Sequence, residues 1–319
     1  MGRHQFSADA ALLFVTAVWG ATFVMVQDAV TTFPVFAFLA LRFTLAALVL
    51  LPFVAHSRQP APSKRWPRGR TWSSWLVVLL PGILVGVALF AGYAFQTFGL
   101  RYTTPAKAGF ITGMSVVLVP LGQALFLRRP PRRNAVIGVA LAAVGLAMLS
   151  LQADLSVSLG DLLVLACAVA FAAQILLVGR YAPDWQPLRL ALVQIATVAM
   201  LSGAAALLVE RPIGWPPGNV WFAAAFTGLL ATALAFFVQS RAQQATSPTH
   251  TALIFAAEPV FAGLFSFWLI GEVLGPRQVV GSALILAGML TAEVQIRRKR
   301  KPEKEGKTGD AEGLLAADD

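Results

Sequence analysis

Apolar residues run in blocks of about twenty along nearly the whole chain, each block closed by a few residues of proline, glycine or charge. A helix needs a block of that length to cross ~30 Å of hydrocarbon at ~1.5 Å per residue. Ten blocks can be drawn, over residues 10–29, 34–54, 75–98, 105–127, 134–151, 159–180, 188–209, 220–240, 246–270 and 276–296. The pattern predicts an all-α integral membrane protein with ten transmembrane helices. Most connections are short. The second, HSRQPAPSKRWPRGRTWSS, is long, and too polar and proline-rich to lie anywhere but in solvent. The opening MGRHQFSADA leads into the first block with no small-residue cleavage site, which reads as a spanning helix rather than a signal peptide.

Within this frame the stretch 246–296 stands out. Glu258-Pro259 lies near the middle of its first block, where a carboxylate costs roughly 2.5–3.5 kcal/mol unless it finds a partner, a proton or a wet cavity. Gly281 and Gly288 mark a smooth face on the second block that another helix can approach closely. One helix carries a costly polar group and its neighbour is built for packing, which suggests a bundle around a polar cavity.

Composition agrees: 57% hydrophobic and 13% charged excludes a soluble domain. The formal charge of +10 does not point to nucleic acid, because the basic residues lie in short loops and at the chain's end. With both termini in the cytoplasm, the inner face collects Arg58, Lys64, Arg65, Arg68, Arg70, Arg128, Arg129, Arg132, Arg133, Arg180, Arg189, Arg241 and the cluster at 297–301. The outer face keeps Arg101, Lys107, Arg211 and Arg277, an asymmetry that sets the expected orientation.

The chain also matches itself. One shift lays Gln96 on Gln239, Thr103 on Thr246, Pro105 on Pro248, Ile111 on Ile254, Gly138 on Gly281 and Gly145 on Gly288. A slightly longer shift, absorbed by the second loop, lays Asp9 on Asp161, Trp19 on Phe171 and Arg42 on Gln194. The expected organisation is a cytoplasmic N-terminus (1–9), two five-helix repeats (10–152 and 153–296) and a disordered, mixed-charge cytoplasmic tail (297–319). Five is odd, so the second repeat enters from the opposite side. Such an inverted-topology repeat carries the substrate site of secondary transporters at its interface.

Candidate pathway residues follow from depth and chemistry. Glu258 comes first: Pro259 cannot donate to the turn before it, and a carboxyl withdrawn from water can exchange a proton near neutral pH. Its alternative is a carboxyl that packs helices together. Arg42 lies roughly 12 Å and Glu258 roughly 18 Å from the outer side, within reach of an ion pair; Arg42 snorkelling to the interface is the alternative. Gln96 and Gln239 either line the cavity or tie helices together, at about 0.6 kcal/mol each. Trp19, Phe38, Tyr93 and Phe236 either wall an apolar pocket or face core and lipid. Lys107, His250 and Glu272 fall near interfaces, while Ser247 and Thr251 share the Glu258 helix face.

Several features now converge on a family. The WG of Ala17-Val18-Trp19-Gly20-Ala21-Thr22-Phe23, the arginine in Leu39-Ala40-Leu41-Arg42-Phe43, Glu258-Pro259, Gly271-Glu272 and Gly281 through Gly288 stand in an order that resembles the EamA-type transporters of the drug/metabolite transporter superfamily. The resemblance covers about residues 8–296. It implies a multi-pass inner-membrane carrier, of a kind that often exports amino acids or other small metabolites. One departure from the family pattern is Arg129, where members often have an acidic residue. In addition, Ser115 stands opposite Glu258, so the halves are chemically unequal.

The expected function is therefore a secondary transporter of small organic solutes in the bacterial inner membrane, with efflux coupled to protons through Glu258. The alternative is a membrane-embedded enzyme acting on a lipid or lipid-linked substrate, for which the chain is poor in clustered His, Asp or Glu. No G-x-x-x-x-G-K-[ST], H-E-x-x-H or cysteine pair occurs; Cys167 is the single cysteine. The expected partners are a small-molecule substrate and the bilayer, with no cofactor, no metal and no nucleic acid; monomer and homodimer fit equally.

Overall fold

The computed structural model describes residues 3–57, 75–103, 105–126, 128, 130–150, 158–211, 213–270 and 275–294. The long second loop, Arg129, Glu272 and the tail lie outside the described residues, as does the side chain of Lys107. Among the described residues all regular structure is helical. The first half contains α1 (Arg3–Thr32), α2 (Val35–His56), α3 (Trp75–Gly99), α4 (Pro105–Gly113), α5 (Ser115–Phe126) and α6 (Arg133–Ser150). The second contains α7 (Leu159–Tyr181), α8 (Pro187–Val209), α9 (Gly218–Gly228), α10 (Ala235–Ala242), α11 (Pro248–Phe255), α12 (Glu258–Ile270) and α13 (Pro276–Val294). A π-helical segment, Leu229–Leu234, carries α9 into α10.

Local chemistry sets the helix starts. Ser158 and Asp161 form a capping box at the head of α7. Pro187 and Pro248 open α8 and α11, where a missing N–H costs nothing, and Ser247 caps α11. The head of α2 is capped from afar: the Glu210 carboxylate at the end of α8 accepts from the N–H groups of Phe36 and Ala37, each at 2.9 Å.

Six helical segments among the described residues are individually long and apolar enough to cross a membrane: Val35–His56, Leu79–Gly99, Ala108–Phe126, Leu159–Asp184, Pro187–Val209 and Gly218–Ala242. A seventh is reached if α1, bent by 42° between Thr22 and Met25, is taken as one span. The other blocks read from the sequence take a different form. α6 has a shorter apolar core (Arg133–Met148), and the block at 246–270 is split into α11 and α12.

The halves interleave. α2 packs on α8, α3 on α7 and α8, α6 on α13, and α1 on α10, α11 and α12. The α6–α13 contact is a backbone seam. A Cβ on Gly138 would lie 2.6 Å from the Gly288 carbonyl oxygen, one on Gly145 2.5 Å from that of Gly281, and one on Gly288 2.5 Å from that of Gly138. Low residue numbers on one helix meet high numbers on the other, so these repeat-related helices cross antiparallel.

Gly288→Ala should force this seam apart and cost about 1–3 kcal/mol, the usual penalty for overpacking. Gly203→Ala, which meets nothing within 4 Å, should cause no loss. Thermal unfolding in detergent reads both; equal melting temperatures would show that the seam tolerates a methyl group.

Candidate functional site: a cavity between the halves

Helical hydrogen bonding is interrupted at three places. Between α4 and α5, the Met114 N–H bonds to the Ile111 carbonyl at 3.1 Å, three residues back instead of four. Between α11 and α12, the Ala257 N–H bonds to the Ile254 carbonyl in the same way at 3.1 Å. Pro259 accounts for the second break, because it has no N–H to continue the ladder. The first has no proline and follows Gly113, a weak helix former. The breaks are repeat-related, and they make Ser115 and Glu258 the first residues of α5 and α12. The third interruption, the π segment, has no counterpart in the first half, where α3 is regular helix.

The two repeat-related breaks border a cavity of ≈ 80 Å³, measured to the centres of water-sized spheres. One water needs roughly 10–15 Å³ by that measure, so several fit. Its lining respects the repeat: Trp19 is matched by Phe171, Thr22 by Gln174, Tyr93 by Phe236, Thr112 by Phe255 and Ser115 by Glu258. The cavity therefore straddles the seam between the halves, with aromatic walls and a few polar groups.

Arg42 breaks the symmetry. It is only 3% exposed, yet no carboxylate lies within ion-pair distance among the described residues. Its Nε donates to Thr232 Oγ1 at 2.8 Å, and Nη2 donates to Tyr93 Oη at 3.3 Å and to the Ala231 carbonyl at 3.4 Å. The guanidinium carbon sits 4.8 Å from the centre of the Tyr93 ring and 5.5 Å from that of Phe43. The π segment supplies both Thr232 and Ala231, and Thr232 in turn donates to the Thr227 carbonyl five residues back. Trp19 Nε1 donates to the same Ala231 carbonyl at 2.8 Å. The remaining nitrogen, Nη1, donates to no described residue, and Arg42 lines the cavity.

Glu258 lines the same cavity, and among the described residues its carboxylate accepts no hydrogen bond. The ion pair expected between Arg42 and Glu258 is not formed, because the neutral acceptors of the π segment and Tyr93 already hold the guanidinium. Both ionisable residues line one space, and each keeps side-chain atoms without a hydrogen bond to a described residue.

The other expected pathway residues divide. Trp19, Tyr93, Gln96 and Phe236 line the cavity with Arg42 and Glu258. Gln96 Nε2 donates to Thr112 Oγ1 at 3.2 Å. Phe38 does not reach it: one turn from Arg42 on α2, it is fully buried in the main apolar core. Gln239 is also set back. It exchanges amide hydrogen bonds with Gln174 at 3.0 and 3.2 Å and donates to Gln243 at 3.1 Å. Gln194, the repeat partner of Arg42, accepts from Gln174 at 3.1 Å and donates to Ser240 at 3.3 Å. Where the first half holds a charge facing the cavity, the second holds a closed neutral network.

Phe171, Gln174 and Phe255 also line the site without having been singled out for it. The repeat match of Trp19 to Phe171 already carried the signal for the first. A lone glutamine in FAAQILL carried it for the second.

A multi-pass helical membrane protein with a cavity on the seam of two related halves has the architecture of a solute carrier. Comparison with known proteins agrees: the EamA-like transporter family matches the chain twice, over residues 6–151 and 158–292. The chain belongs to that family. It is 33% identical to an uncharacterized transporter of Archaeoglobus fulgidus, over 92% of this chain and 88% of the relative. It is 28% identical to the uncharacterized transporter YyaM of Bacillus subtilis, over 92% and 96%. One solved crystal structure superposes with a TM-score of 0.72 over 92% of this chain and 99% of its own, at 22% identity, a likeness of fold alone.

Thr232→Val keeps the shape of the π segment and removes the acceptor for Arg42 Nε. It should destabilise the protein by about 1–3 kcal/mol, the penalty for an unmet buried donor. A fall in melting temperature checks this; an unchanged value would mean that Arg42 does not depend on the π segment.

Proposed function

We propose that this transporter is a ten-span secondary carrier of the bacterial inner membrane that exports amino acids or closely related metabolites. In this reading its two five-helix halves are inverted and both termini are cytoplasmic. The antiparallel crossing of α6 and α13 supports the inversion, since repeat-related helices that run oppositely are related by an axis across them. The capping of α2 by Glu210 at the far end of its repeat partner α8 supports it too. The excess of arginine and lysine on one set of loops supports the orientation.

The observation that carries the substrate reading is the pair of opposite charges on one cavity, each with unused hydrogen-bonding atoms. Arg42 Nη1 suits a carboxylate and Glu258 suits an ammonium group. The rings of Trp19, Tyr93, Phe171, Phe236 and Phe255 suit an apolar side chain between them. A zwitterionic amino acid satisfies all three. Glu258 is also the group through which a proton exchanges for the solute, and rocking of the halves exposes the cavity to each side in turn.

Flux in proteoliposomes tests this. An imposed pH gradient should drive phenylalanine or leucine in the direction opposite to the protons, and Glu258→Gln and Arg42→Gln should each lower the rate at least tenfold. Absence of flux for every amino acid, with and without the gradient, would contradict the carrier reading. Parent rates in both variants would contradict the assigned roles.

A further inference from the structure

Asp9 and His250 lie 241 residues apart in sequence, yet His250 Nε2 donates to Asp9 Oδ1 at 3.0 Å. Their side chains are only 16% and 12% exposed. The contact joins the opening turns of α1, in the first half, to the start of α11, in the second. Beside it Gln123 accepts a hydrogen bond from Thr249, which ties α11 to α5. The backbone N–H of His250 bonds to Ser247 Oγ at 3.2 Å, so the helix cap sets the approach of the imidazole. Neither Asp9 nor His250 touches the cavity described above.

Between this contact and the cavity lies an apolar layer. Leu12 of α1, Val119 of α5 and Ala252 of α11 are all fully buried and belong to one cluster. Phe255 and Ile175 belong to the same cluster and line the cavity. At ~1.5 Å per residue, Asp9 stands about 15 Å along α1 from Trp19, and His250 about 7.5 Å along α11 from Phe255. From the cavity toward this end of the bundle, the order is aromatic wall, apolar layer, then Asp9–His250 and Gln123–Thr249.

The repeat places a related contact at the opposite end. Asp161, the counterpart of Asp9, accepts from Thr103 Oγ1 at 2.5 Å, and Thr103 is the counterpart of Thr246 at the entry to α11. There too, an aspartate at the head of one half's first helix is bonded to the other half. The two closures differ in how firmly they hold. Asp161 is engaged through both oxygens, its Oδ2 taking the Ser158 N–H at 2.9 Å, and Gly99 and Gly160 bring the backbones together so closely that a Cβ on Gly160 would lie 2.7 Å from the Gly99 carbonyl oxygen. Asp9 holds through one oxygen; its Oδ2 is buried and makes no hydrogen bond to a described residue.

We propose that the Asp9–His250 hydrogen bond is the latch that closes the cavity at the end of the bundle where α1 and α11 begin. Its release would allow the apolar layer behind it to part and admit solute at that end. The inference rests on the carrier reading, in which each end must open in turn, and it assigns these two residues a role outside the substrate cavity.

Two experiments test it, in a Cys167→Ala background. In the first, Asp9→Cys with His250→Cys is bridged by a short bifunctional thiol reagent and assayed for flux in proteoliposomes. Bridging should lower flux at least tenfold, with recovery on reduction; a bridged carrier running at its unbridged rate would overturn the latch. The second needs no transport: Ser115→Cys inside the cavity is reacted with a small water-soluble thiol reagent in the purified protein. Adding His250→Ala should speed labelling at least fivefold, while Asp9→Asn, which keeps an acceptor for Nε2, should stay near the parent rate. Equal labelling with and without His250→Ala would overturn the latch, whatever the flux assay gives. Failure of the unbridged parent to move any solute would instead count against the carrier reading, and labelling would then decide the latch alone.

Discussion

A guanidinium held away from water must find acceptors in the protein or an anion to face, since its desolvation is otherwise uncompensated. Arg42 finds the first in part and leaves room for the second. Its acceptors come from Tyr93 and from a helix that has been widened locally: in the π segment the Ala231 carbonyl and the Thr232 hydroxyl turn toward α2. Gly228 makes the approach possible, because a Cβ there would lie 2.8 Å from the Arg42 carbonyl oxygen. The π segment and the arginine account for each other, and with Trp19 on the same carbonyl they fix the cavity's wall.

The rest of the site follows from placing one charge in each half. The cavity lining is matched in pairs across the repeat, but Arg42 is matched by Gln194 and Glu258 by Ser115. Gln194 has turned into a network with Gln174, Gln239 and Ser240, which links α7, α8 and α10 through neutral side chains. Ser115 keeps the geometry of its half-helix without a charge. The two related halves thus place one basic and one acidic residue on the same cavity, which a symmetric pair of halves would not provide.

Much of this was legible in the residues. Block lengths gave an all-helical membrane protein, six of whose spans are clear among the described residues, and glycine spacing gave the close-packing face of α13; the block at 246–270, read as one span, breaks just before Glu258-Pro259. The repeat also contains Phe171, which follows from Trp19 by the same match that aligns Asp9 with Asp161. What stayed hidden depends on contacts between distant segments. LLATAL contains no residue that breaks a helix, so nothing local announces the π segment there. The break at Met114 has no proline. Depth alone makes Arg42 and Glu258 natural partners, while the neutral acceptors that hold Arg42 come from other helices. Phe38 shares a face with Arg42 by periodicity, yet one turn along α2 the cavity has given way to core. The contact of Asp9 with His250 spans most of the chain and leaves no mark on either local sequence.

The central claim is that the cavity recognises opposite charges at Arg42 and Glu258 together. Calorimetric binding of three ligands of similar shape to the purified protein tests it most directly: phenylalanine, its amide without the carboxylate, and phenylpropionate without the ammonium group. The account predicts that phenylalanine binds and that each single-charge ligand binds at least tenfold more weakly, about 1.4 kcal/mol. Equal affinity for all three would show that the rings alone hold the solute and that the two charges serve the fold.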